Sequence, residues 1–101
     1  MKKKTIHKNK ISKECWNLDY SFLCWLKERL PVYLKEAGKV VDLTYHKFKI
    51  GNKEYNQKEV IEFMISDVNF LISHDWYDEG YTEVQNHLLE CWSKVISAMW
   101  W

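Results

Sequence analysis

A chain of 101 residues, 47% hydrophobic and 29% charged, has the balance of one folded domain, which excludes disorder throughout and argues against a self-contained enzyme. No apolar run approaches the ~20 residues that a membrane-spanning helix needs, and the Lys-rich start has no apolar stretch directly behind it, so neither a span nor a signal peptide is expected. The formal net charge is +1, but residues 1–55 carry 13 Lys and Arg against 6 Asp and Glu while residues 56–101 carry 2 against 8, a division that suits an acidic–basic contact between subunits or a basic nucleic-acid surface.

Residues 1–13 hold six Lys and too little apolar surface to offset their ordering entropy, so they are expected as a mobile basic arm ahead of a single helical domain over 14–101. A first helix is predicted near 17–37, with Asn17 as N-cap and Asp19 favourable in the first turn. Leu18, Phe22, Leu26, Leu30 and Tyr33 step by four and three and define one apolar stripe, widened by Trp25 and Leu34. Pro31 lacks the N–H that would reach the Lys27 carbonyl, so a kink or restart is expected there, and Gly38 is placed as a left-handed C-cap.

Residues 45–55 read as a hairpin about Gly51-Asn52, pairing Ile50 with Lys53, Lys49 with Glu54 and Phe48 with Tyr55. Asn56 and Glu59 have the sequence form of a capping box opening a second helix near 57–73. Its stripe is Val60, Ile61, Met64, Val68, Leu71 and Ile72, and Phe63, Ile65 and Phe70 make it apolar on further faces, so it lies centrally or in an oligomer contact. After an acidic, aromatic loop, Thr82 and Gln85 suggest a second capping box and a last helix near 82–99. The fold class is therefore mainly α: three helices with a small hairpin between the first two. The expected core is Phe22, Leu26, Leu30, Ile61, Met64, Val68, Leu88, Trp92 and Val95.

Candidate chemistry is sparse. Cys15, Cys24 and Cys91 form an odd set without a CxxC pair, which fits a reducing compartment and a cytoplasmic location. His87 and Cys91 share a helix face at i, i+4, but no ligand pair has zinc-finger spacing; Cys15, Cys24, His46 and His74 would have to join from elsewhere, so no metal or other cofactor is assigned. His74-Asp75 has the residue types of a general base with its orienting carboxylate, yet no nucleophile motif accompanies it, and Glu59 and Glu62 are explained by capping and solvation; no catalytic residue is assigned. Three isolated glycines make no phosphate loop. Lys47, Lys49 and Lys53, interleaved with aromatic residues, are candidate phosphate contacts. Trp76 and Tyr77 in the acidic loop, with Trp100 and Trp101 at the end of the sequence, are candidate partner-binding residues, since Trp and Tyr are favoured as interface anchors.

The run Trp16-Asn17-Leu18-Asp19-Tyr20-Ser21-Phe22, followed by a Leu- and Lys-rich helix, a Met-containing helix and a closing Met99-Trp100-Trp101, resembles small bacteriophage and prophage proteins of unassigned function. Those open with a Trp-x-Leu-Asp-Tyr-Thr/Ser-Phe helix and finish in a Trp-terminated one. The resemblance covers residues 16–38 and 88–101 and implies a phage setting and the host cytoplasm, where proteins of this size bind and disable a host factor or sequester a small signalling molecule. The expected function is stoichiometric, non-enzymatic binding of a host protein such as a defence factor. A nucleotide-sequestering oligomer and a nucleic-acid-binding protein using the Lys-rich arm and hairpin are the alternatives. A homo-oligomer is expected, most simply a two-fold dimer built on the last helix with Trp100 or Trp101 as anchor.

Overall fold

The computed structural model describes residues 10–101. Helix α1 covers residues 10–16, and α2 follows at once as Leu18–Ala37. The hairpin is β1 (Lys47–Ile50) and β2 (Lys53–Asn56), and the chain continues into α3 (Gln57–Ser73), α4 (Tyr81–Val95) and a 3-10 turn at Ile96–Ala98. Among the described residues the architecture is mainly α, with four helices rather than three: residues 10–13 of the expected basic arm are helical, and its first nine lie outside the described residues.

Helix α3 is the centre of the fold. It packs against both α2 and α4, whereas no Cα of α2 comes within 8 Å of one in α4. Val60, Ile61, Met64 and Val68 are completely enclosed along its length, which is why the sequence makes this helix apolar on several faces. Phe63, Ile65 and Phe70 are partly covered by packing within the chain. Its N-terminus carries the capping box in full: Glu59 N–H donates to Asn56 Oδ1 at 2.8 Å, and Asn56 N–H donates to Glu59 Oε1 at 3.0 Å.

The hairpin register is Lys47↔Asn56, Phe48↔Tyr55, Lys49↔Glu54 and Ile50↔Lys53, as the turn at Gly51-Asn52 requires. Gly51 takes a φ of 61° while Asn52 does not go positive, the pattern of a turn with glycine at its first central position. A ribbon of two strands is marginal alone. This one is fastened by Ile50 in the core, by the Tyr55 ring edge-on to Phe63 at 4.8 Å, and by Gly51 N–H donating to Glu90 Oε2 of α4 at 2.9 Å.

Several local expectations are corrected. The inward stripe of α2 is Leu23, Leu26, Leu30 and Ala37, leaving Leu18 and Phe22 outward. Pro31 sits inside an uninterrupted α2, and Asn17 takes the N-cap position without a side-chain bond. Gly38 closes that helix in a right-handed conformation (φ −62°). Thr82 and Gln85 form no capping box, because α4 begins one residue earlier behind Gly80, whose φ of 85° makes the turn. In α4 the enclosed residues are Leu88, Cys91 and Val95, with Trp92 only partly buried, and the helix ends at Val95.

Candidate functional site

Because α2 and α4 each lean on α3 with no Cα of one within 8 Å of the other, a groove runs between them. Leu18, Phe22 and Trp25 project along one wall, and Trp92 stands on the other, with the Phe22 and Trp92 rings edge to face at 6.4 Å. The Arg29 guanidinium lies 4.5 Å from the Trp25 ring centre, a cation–π contact at the rim. Leu18 is 60% exposed, Trp25 47% and Phe22 40%. The hollow they line, closed at its edges by Glu14 and Glu28, has a volume of about 580 Å³. A second hollow of about 260 Å³ lies on the other side of Phe22, lined by Leu23, Leu71, Leu88 and Leu89. Contiguous apolar surface of this kind is what monomers usually cover.

Leu18, Phe22 and Trp25 are legible in the sequence as residues but not as a site. Leu18 and Phe22 were assigned inward, since α2 offers apolar side chains on almost every side.

The four aromatic residues expected at a partner surface lie in two places. Trp76 and Tyr77 are exposed in the loop after α3, their rings edge to face at 5.6 Å. That loop is held by Asp75 N–H donating to Asp78 Oδ2 at 2.8 Å, and the Tyr77 hydroxyl donates to Asp75 Oδ2, whose charge holds the phenol above its ordinary range. The end of the chain is tied down. Gln57, buried at the start of α3, donates to the Ala98 carbonyl at 3.1 Å and to Tyr33 Oη at 3.2 Å, and the Tyr33 hydroxyl donates to the Trp100 carbonyl. Trp101 rests on the Tyr33 ring at 5.5 Å. Even so, Trp100 and Trp101 keep more than half their surface exposed.

The three hairpin lysines do not converge. Strand alternation puts Lys47 and Lys49 on one face, with Glu54 directly opposite Lys49, and Lys53 on the other face beside Ile50. His74 and Asp75 form no base–carboxylate pair. The His74 ring stacks on Phe70 at 3.9 Å with Nδ1 against the Phe70 carbonyl and Ser73 Oγ, while the Asp75 carboxylate takes Tyr77.

At the seam of α3 and α4, His87 Nδ1 lies 2.5 Å from Asp67 Oδ2, and His87 Nε2 lies 3.9 Å from Cys91 Sγ. Thiol, imidazole and carboxylate thus stand in the order of a nucleophile, its base and the group that orients the base. Cys91 has no exposed surface, and burial pushes its thiol up to about 12, so in the free protein this sulfur carries its proton near neutral pH. Cys15 and Cys24 are also free thiols. No helix among the described residues is long and apolar enough to cross a membrane. Comparison with protein-family models, with curated proteins and with solved structures yields no match.

Proposed function

We propose that this protein acts by stoichiometric binding rather than catalysis, holding a protein partner in the aromatic groove between α2 and α4. The observation that carries the reading is the exposure of Leu18, Phe22 and Trp25 in one line beside Trp92, with a cation at the rim. Amphipathic helices dock into hydrophobic grooves through residues one turn apart. In the phage setting suggested by residues 16–38 and 88–101, the partner is a host protein, such as a defence factor, that the complex inhibits in the cytoplasm. Self-association belongs to the same reading: Trp100, held by its carbonyl, and Trp101, resting on the Tyr33 ring, each keep more than half their surface open and serve as the contact of a two-fold dimer.

A photo-crosslinking residue at position 22 or 25, followed by capture from host lysate and native mass spectrometry, tests this. A protein attached at either position, and lost on Trp25→Asp, supports the groove. Capture unaffected by both Phe22→Asp and Trp25→Asp would sink it. A retained nucleotide or a nucleic acid would instead favour the sequestering or nucleic-acid readings, and turnover of a bound molecule would overturn the non-enzymatic one.

A further inference from the structure

The Asp67–His87–Cys91 cluster has donors of three kinds within 4.8 Å of one another. His87 and Cys91 are one turn apart on α4, and Asp67 faces them from α3. A carboxylate only accepts, so the proton of the imidazole belongs on Nδ1, where Asp67 Oδ2 holds it. The lone pair of Nε2 is then the free one, and it looks toward Cys91 Sγ at 3.9 Å. Two such donors on one tetrahedral ion, with N at ~2.0 Å and S at ~2.3 Å, stand about 3.5 Å apart. Closing the present gap takes a few tenths of an ångström. The carboxylate behind the imidazole is the outer partner that fixes ring orientation in metal-bound histidines.

We infer that Cys91 Sγ and His87 Nε2 together bind a divalent ion of borderline softness, Zn²⁺ by class, with Asp67 as the group that orients His87. Binding breaks the S–H bond heterolytically, forms the sulfur–metal bond and sends the proton to solvent; nothing is oxidised. Water completes the coordination on the outer side, where the His87 side chain is 38% exposed. Thiolate with imidazole selects zinc-like ions over the hard, oxygen-seeking ones. A polar trio at a helix seam also costs desolvation that apolar residues would not, and an ion at the seam offsets that cost.

Cobalt(II) is the probe, used on the full chain carrying Cys15→Ser and Cys24→Ser so that Cys91 is the only thiol. The expected result is a thiolate-to-cobalt charge-transfer band that saturates at about one ion per chain and is displaced by Zn²⁺. His87→Gln should remove the band, and Asp67→Asn should weaken binding by about 10–100-fold. Zn²⁺ should raise the melting temperature of the His87 form and leave that of His87→Gln unchanged, with the helical circular dichroism of both intact. No band in excess cobalt, a band that His87→Gln leaves unchanged, or a melting temperature lowered by Zn²⁺ overturns the inference.

Discussion

Met64 and Trp25 mark the two kinds of large side chain in this protein. Met64 is enclosed on all sides by α3's neighbours, so Met64→Ala leaves a cavity and is expected to cost about 2–5 kcal/mol in urea unfolding. Trp25 has little beneath it except Arg29, so Trp25→Ser should cost about 1 kcal/mol or less while abolishing partner capture. That split between stability and binding is the residue-level signature of a docking surface. Tyr33 supplies a pH dependence. Burial raises its phenol above the ordinary value, with the Gln57 amide pulling the other way. A folded-state value above the unfolded one means that neutral Tyr33 contributes fully below the unfolded value and loses its contribution as pH rises through the folded one. The stability advantage of the intact chain over Tyr33→Phe should therefore be flat below about pH 9 and shrink beyond about pH 10.

Among the elements, the hairpin and α3 are held by local rules that the residues state outright. Asn56→Ala removes one half of the capping box and should cost about 1 kcal/mol. Gly51→Ala meets no neighbouring atom, so its cost, about 1–2 kcal/mol, comes from the left-handed backbone alone. Chemical denaturation of the two variants checks both. These features were legible because a capping pair and a turn dipeptide act over three or four residues. The orientation of α2 was not. Leu18, Phe22, Leu23, Trp25, Leu26, Leu30 and Tyr33 give that helix apolar surface on most sides, and periodicity cannot choose which side meets α3. The start of α4 differs from the capping box that Thr82 and Gln85 suggest, because Gly80 in a left-handed conformation takes the N-cap position. His87 and Cys91 were visible as a helical pair, but Asp67 lies 20 residues earlier and only the packing of α3 on α4 brings it to them.

At the scale of the whole molecule, the four aromatic residues at the loop and the chain end divide between a free pair and a tethered pair. Trp100 and Trp101 lie beyond the last helix and outside the buried core, and Gln57 still holds the Ala98 carbonyl without them, so removing them should leave the helical circular dichroism in place. Light scattering at micromolar concentration is expected to show a dimer for the intact chain and a shift toward monomer for the truncated one; a monomer in both would release those tryptophans for a foreign partner.

The separation of α2 from α4 has a mechanical consequence. With no Cα of α2 within 8 Å of one in α4, the two walls of the groove are joined through side chains, the Phe22 and Trp92 rings among them, while α3 supports both. Val60, Ile61, Met64 and Val68 have no exposed surface, so α3 is the most enclosed element of the fold. Amide hydrogens of α3 should then exchange slowest of all and those of the α2 N-terminal turns much faster, giving the protein a stiff spine and a compliant grip.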